Sequence, residues 1–116
     1  MSTATAPEPV STLNRSHRIV QSRYATGNPA RALDVMVRYD KGARQYVSWV
    51  RAVTLYPGGG EGYTLPRQAE LAGFQSFQSA KVGRYSEAQH LKSAGTILLA
   101  YAPTLARMIE WAEGRA

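Results

Sequence analysis

Alternating apolar and polar residues between Arg31 and Tyr56 constrain the fold of this chain more than any other feature. Alternation with a period of two, in β-branched and aromatic residues, is typical of half-buried strands. In the first arm, the residues that share one face are Leu33, Val35, Val37 and Tyr39. In the second arm they are Val47, Trp49, Val53 and Leu55, with Arg51 as the odd member. The stretch therefore predicts a β-hairpin over 31–56.

The segment Asp40-Lys41-Gly42 predicts the turn of this hairpin. Asp suits the start of a type I turn, and Gly suits the left-handed position that closes it. A three-residue loop at this segment pairs Val35 with Val47, so that the apolar sets of both arms lie on one side. A two-residue loop would instead place Asp34 opposite Trp49. We therefore predict the three-residue loop.

The length of 116 residues and the hydrophobic content of 44% suit one globular domain with a modest core. Residues 1–14 contain Pro7 and Pro9 and no periodic apolar pattern, which predicts a flexible N-terminal tail. We expect 15–116 to form a single α+β domain, with an antiparallel sheet built on the 31–56 hairpin and packed by C-terminal helices. The short segment 16–24 is interpreted as an edge strand of that sheet.

Helical signals concentrate in the C-terminal third of the chain. Ser86 and Gln89 have the spacing of a capping box, with Ser86 as the N-cap and Gln89 reaching back to it. Apolar residues then recur at helical spacing up to Pro103, which breaks the helix or begins a second one that ends near Gly114. Two short helices, or one kinked helix, would cover the apolar face of the sheet.

The stretch between the hairpin and these helices, residues 63–82, allows two interpretations. Residues 66–72 begin with Pro and are followed by Gly73, which favours a short helix. Residues 73–82 could equally form a third strand of the sheet. Phe74 and Phe77 are three apart, a spacing that fits neither period cleanly.

The net charge of +6 is concentrated in one segment. Between Arg15 and Arg51 there are eight Arg and Lys residues against Asp34 and Asp40, whereas the remainder of the chain holds six basic and six acidic residues. A one-sided basic field favours an anionic partner, such as nucleic acid, phosphate or an acidic protein face. A solvated basic surface that only aids solubility is the alternative.

Residues that carry chemistry are scarce. His17 and His90 are the only histidines, and Glu87, three residues before His90, forms a surface pair more readily than a catalytic dyad. The chain contains no Cys and no metal-ligand spacing. The glycine-rich segment 58–62 lacks the Gly-Lys-Ser/Thr ending of a phosphate-binding loop. We therefore predict no enzyme activity, no cofactor and no metal site.

Basic and aromatic residues interleave along the hairpin, a composition that suits stacking on single strands together with phosphate contacts. The predicted register places Tyr46 on the open face with Arg38 and Arg44, which makes it the best candidate for a functional aromatic residue. The same face also carries apolar residues, so contact with a protein or a second copy of the chain competes with nucleic acid. The predicted binding residues are Arg38, Lys41, Arg44, Tyr46 and Arg51.

Membrane and secretion signals are absent from the pattern. The first ten residues have no basic and apolar regions of a secretory signal. The longest apolar run, Ala94 to Ala106, is too short to cross a bilayer and is interrupted by Pro103. These features predict a soluble, cytoplasmic protein.

Two segments resemble small accessory proteins carried by bacterial phages and plasmids. They are RYATGNPARALDVMVRYDKG at 23–42 and SAGTILLAYAPTL at 93–105, and together they cover under a third of the chain. The resemblance implies a mobile-element origin and action by stoichiometric binding, as in inhibitors of host defence such as anti-CRISPR proteins. It leads to the hypothesis of an inhibitor that blocks a host nucleoprotein complex through the basic hairpin face. An accessory protein that binds DNA or RNA directly is the alternative.

Overall fold

A six-stranded antiparallel sheet forms the centre of the structure, a computed structural model in which residues 8–114 are described. The strands follow one another in the order β1-β2-β3-β4-β5, and the short β6 also pairs with β4. Their bounds are β1 Val10–Asn14, β2 Ile19–Ala25, β3 Arg31–Asp40, β4 Gln45–Leu55, β5 Glu61–Tyr63 and β6 Phe77–Gln78. The predicted α+β class, with its sheet built on the 31–56 hairpin, is confirmed.

Three helices complete the fold: α1 Pro66–Leu71, α2 Glu87–Tyr101 and α3 Leu105–Glu113. A 3-10 turn at Ala102–Thr104 joins α2 to α3 and contains Pro103, so the C-terminal helix is kinked at the residue that the sequence indicated. α2 and α3 pack against one face of the sheet. No helix among residues 8–114 is long and apolar enough to span a membrane.

The face of the sheet that the helices cover is built from alternating residues of β2, β3 and β4. The first-arm residues Leu33, Val35, Val37 and Tyr39 are all buried on it, as their spacing predicted. In β4 the buried residues of this face are Tyr46, Ser48, Val50 and Ala52. The hydroxyl of Ser48 pairs with that of Tyr101 at 3.3 Å, which allows a polar side chain to lie inside the core.

The predicted hairpin register is wrong. Asp40 pairs with Gln45, which leaves a four-residue loop at 41–44, and Val35 pairs with Val50 instead of Val47. Asp40 does begin the turn, because its Oδ1 accepts hydrogen bonds from the backbone N–H groups of residues 42 and 43. The left-handed position is Arg44, with φ 52°, rather than the Gly of the predicted turn. A three-residue shift turns β4 over, so Tyr46 enters the core and Trp49 moves to the open face.

The predictions for the segments that follow the hairpin are confirmed in part. The helix over 66–71 is confirmed and stops before Gly73, which has φ 99°. Within 73–82, only Phe77–Gln78 is a strand. Ser86 caps α2 by accepting the N–H of Gln89, but the side chain of Gln89 donates to Ser93 and does not reach back, so half of the capping box is wrong.

The N-terminal prediction is also corrected in part. Residues 1–7 of the predicted flexible tail lie outside the described residues. Val10–Asn14 form β1, an edge strand that pairs along its whole length with β2. The segment 16–24, interpreted as an edge strand, supplies β2, which lies inside the sheet between β1 and β3.

Candidate functional site

The open face of the sheet, opposite the helices, carries a buried carboxylate between two guanidinium groups. The register places Arg23, Asp34 and Arg51 side by side on β2, β3 and β4. Arg23 Nε donates to Asp34 Oδ1 at 2.8 Å, and Arg51 Nε donates to Asp34 Oδ2 at 2.9 Å. The side chain of Asp34 is fully buried, and Gln21 Nε2 also donates to it at 3.2 Å. Asp34 therefore holds Arg51, one of the predicted binding residues, together with Arg23.

The same network continues to the far edge of the sheet. Arg23 donates to both carboxylate oxygens of Glu61, at 2.8 and 2.9 Å, and Tyr63 donates to Glu61 at 2.7 Å. These hydrogen bonds, that of Arg23 first, lower the pKa of Glu61 to about 2. The Arg51 guanidinium carbon lies 3.7 Å from the centre of the Tyr63 ring. With two carboxylates against two guanidinium groups, this part of the face is electrically neutral.

Four cations gather at the hairpin end of the sheet, around a recess that we call the tip pocket. It has a volume of about 360 Å³ and is lined by Arg18, Tyr39, Lys41, Arg44, Gly83, Arg84 and Tyr85. Tyr39 belongs to β3, and three separate loops supply the other residues: the β1–β2 turn, the β3–β4 loop and the segment before α2. Backbone hydrogen bonds hold the loops to the sheet, from Tyr39 N–H to Arg18 O at 3.1 Å and from Val82 N–H to Arg44 O at 2.8 Å.

The tip pocket has an excess of positive charge. No carboxylate lines it, and within residues 8–114 its cations Arg18, Lys41, Arg44 and Arg84 form no ion pair closer than 4.0 Å. The nearest acidic residue along the chain, Asp40, uses its Oδ1 on backbone N–H groups of the loop. Cations held together without counter-charges attract anions from solution.

Aromatic rings form the floor of the tip pocket. Tyr39 and Tyr85 line it directly, and Tyr46 and His90 lie behind them, both fully buried. The Arg18 guanidinium carbon lies 5.2 Å from the centre of the Tyr85 ring, which places a cation over the outermost ring. The site therefore combines basic walls with an aromatic base.

The five predicted binding residues lie in different parts of the structure. Lys41 and Arg44 lie together in the tip pocket. Arg38 is exposed on the open face, with its guanidinium carbon 6.0 Å from the centre of the Trp49 ring. Tyr46 is buried in the core instead of lying beside Arg38, because the four-residue loop reverses β4. Arg51 is bonded to Asp34, as described above.

Three residues of the site, Arg18, Arg84 and Tyr85, were not predicted from the sequence. Arg18 lay within the basic segment, but its position depends on the turn between β1 and β2, which was not predicted. Arg84 and Tyr85 come from a stretch with no periodic signal, so only tertiary structure brings them to the hairpin loop.

A second cavity, of about 470 Å³, opens on the open face of the sheet beside β1. Its walls are largely apolar, and its Arg23 is already bonded to Asp34 and Glu61. The remaining charged lining residues are one carboxylate, Glu8, and one guanidinium, Arg31. This cavity thus lacks the unbalanced charge that distinguishes the tip pocket.

The described residues contain no group of three or more His, Asp or Glu placed to hold a metal ion. Within residues 8–114, neither ring nitrogen of His90 has a hydrogen-bond partner, and burial lowers its pKa, which favours the neutral imidazole. The arrangement at the tip is suited to binding anions and offers no paired acid and base. Comparison of the chain with protein-family models, with curated proteins and with solved structures finds no match.

Proposed function

We propose that this chain is a non-catalytic binding protein that holds a nucleic-acid strand by its phosphates at the tip pocket. The observation that carries the proposal is the convergence of Arg18, Lys41, Arg44 and Arg84, from three loops, on one recess without a carboxylate. Cations held at fixed positions replace the counterions condensed on a phosphate backbone, and the release of those counterions favours binding.

The location of the contact differs from the basic hairpin face inferred from the sequence. Arg51 is neutralised within the open face, whereas Lys41 and Arg44 remain available at its end. Arg38, exposed near the same end of β3, extends the basic surface beyond the pocket. The proposed contact surface is therefore the end of the sheet and not its face.

The test is a fluorescence-anisotropy titration of labelled single-stranded and duplex oligonucleotides at two salt concentrations. Four phosphate contacts to a single strand give a slope of about −2.8 for log K against log salt, so affinity should fall about 50-fold between 50 and 200 mM salt. Absence of binding to either probe at the lower salt concentration would overturn the proposal.

A pair of double variants separates the pocket from general charge. Lys41→Ala/Arg44→Ala removes two of the four contacts, so the slope should fall to about −1.4. Arg67→Ala/Arg107→Ala removes the same charge from exposed positions on α1 and α3 and should leave the slope near its original value. Equal losses in the two variants would show that net charge, and not the tip pocket, is responsible.

Inhibition of a host nucleoprotein complex, suggested by the resemblance to mobile-element proteins, stays a prediction. Such an inhibitor would bind one host protein tightly, and its affinity would tolerate salt better than direct phosphate contacts do. The titration therefore also discriminates this hypothesis from direct binding to nucleic acid.

A further inference from the structure

Four rings form a closed circuit beneath the tip pocket. The ring centres are separated by 5.2 Å between Tyr39 and Tyr46, 5.0 Å between Tyr46 and His90, 5.4 Å between His90 and Tyr85, and 5.5 Å between Tyr85 and Tyr39. All four contacts are tilted, with interplanar angles from 35° to 56°. The circuit is thus a packed aromatic cluster in which each ring touches two others.

Polar atoms inside this circuit have no partners. Among residues 8–114, the buried side-chain nitrogen and oxygen atoms without a hydrogen bond are Tyr46 Oη, Tyr85 Oη, His90 Nδ1 and His90 Nε2. Elsewhere the buried polar side chains of Ser22, Asp34 and Ser48 are all bonded. Buried polar groups are rarely left unpaired, because each one loses its hydrogen bonds to water. Their concentration at one place indicates a site built for a polar occupant.

Tyr85 closes this site from the outside and suits it poorly. It is the one member of the circuit that is only half buried, and it lies in the loop before α2. Its ring fills the space against Tyr39 and His90, but its hydroxyl has no hydrogen-bond partner there. A flat ring with donors and acceptors along its edge would make the same ring contacts and also bond the unpaired atoms.

We propose that an unpaired nucleobase takes the place of the Tyr85 ring in this aromatic cluster. The base stacks on Tyr39 and His90, and its edge faces Tyr46. The inference rests on the proposed function, since the phosphate of the same nucleotide stays with the cations at the rim. Neutral imidazole offers one donor and one acceptor, and a tyrosine hydroxyl offers both, so the edge of any base finds partners. Bases paired within a duplex are not available for insertion, and the ligand is accordingly a single strand.

The test compares three labelled probes of equal length at low salt: oligothymidylate, an abasic deoxyribose-phosphate oligomer and a duplex. Stacking of one base should make oligothymidylate bind at least about five-fold more tightly than the abasic probe. Equal affinity for these two probes would overturn base insertion and leave the phosphate contacts standing. Failure of all three probes to bind would overturn the proposed function itself.

Variants of Tyr85 distinguish exchange of its ring for a base from stacking of a base on that ring. Tyr85→Ala vacates the space, so the affinity ratio of oligothymidylate to the abasic probe should rise several-fold. Tyr85→Phe keeps the ring and removes its unpaired hydroxyl, so the ratio should stay at or below that of the original chain. A lower ratio in Tyr85→Ala would show that Tyr85 is the stacking surface, which contradicts the exchange.

Tyr46→Phe provides a second test, which does not depend on the folding of Tyr85→Ala. The hydroxyl that it removes has no partner among the described residues and should be needed only for the base edge. We expect a lower affinity ratio and an unchanged affinity for the abasic probe. An unchanged ratio would exclude this hydroxyl from recognition and overturn the proposed placement of the base.

Discussion

Asp34→Asn should be among the most destabilising single changes in this protein, although it alters only one atom of the side chain. Asp34 is fully buried and accepts hydrogen bonds from Arg23 through two nitrogens, from Arg51 and from Gln21. Asparagine keeps one acceptor oxygen, but its amide group would point N–H donors at guanidinium N–H groups. The variant therefore loses charge-assisted hydrogen bonds and places donors against donors.

The size of the expected loss in stability follows from the partners that Arg23 and Arg51 retain in the variant. Arg23 keeps Glu61, at 2.8 Å, whereas Arg51 keeps only the face of the Tyr63 ring. The side chain of Arg51 is 17% exposed, so water replaces the missing carboxylate poorly. Removal of one partner from a buried ion pair typically costs about 3–5 kcal/mol, and we expect the free energy of unfolding to fall by about that amount.

Urea unfolding of the original chain and of two Asn variants provides the measurement. Asp40→Asn is the matched control, because it makes the same substitution and the same charge change on the same strand. The Asp40 oxygen that caps residues 42 and 43 persists in asparagine, so the control should cost less than about 1 kcal/mol. A cost below about 1 kcal/mol for Asp34→Asn, with an unchanged dependence on urea, would refute the central role of this carboxylate.

The remaining predictions concern the side chains of Tyr46, Tyr101 and His90. Tyr46→Phe should leave the free energy of unfolding unchanged or raise it, because the hydroxyl is buried without a partner; Tyr101→Phe should lower it by about 1 kcal/mol in the same urea experiment, because its hydroxyl bonds Ser48 and Gln75. Burial lowers the pKa of His90, so the unfolded chain takes up a proton at higher pH than the folded protein, and stability should fall as pH decreases below about 6.5. Urea unfolding at pH 7.5 and 5.5 should show a smaller difference for His90→Phe than for the original chain, and an equal difference would contradict this account.

Local spacing was sufficient to predict much of the fold. The first hairpin arm has an apolar residue at every second position from Leu33 to Tyr39, and each of these predicted core residues is buried. Ser86 and Pro103 likewise mark the N-cap and the kink of the C-terminal helices. These signals act within a few residues along the chain, so the backbone conformation follows from the sequence at each place.

The second arm failed because both of its faces are apolar enough to enter a core. Val47 and Trp49 compete with Tyr46 and Val50, and the choice depends on the number of residues in the loop. A turn that begins with Asp and contains Gly is compatible with three or four residues. Alternation alone therefore could not set the register, and the error moved Tyr46 onto the wrong face.

That single error explains why the candidate site was predicted only in part. Net charge along a segment measures surface potential only if its charges remain unpaired, and pairing depends on neighbours across the sheet. In the correct register, Arg23 and Arg51 flank Asp34, and the second carboxylate that balances them, Glu61, comes from outside the basic segment. Once these pairs are removed, three cations of the segment, Arg18, Lys41 and Arg44, stand together at the end of the hairpin, where a loop distant in sequence adds Arg84 and Tyr85. Much of the segment's excess charge therefore lies in the tip pocket, whereas the face of the sheet around Asp34 is neutral.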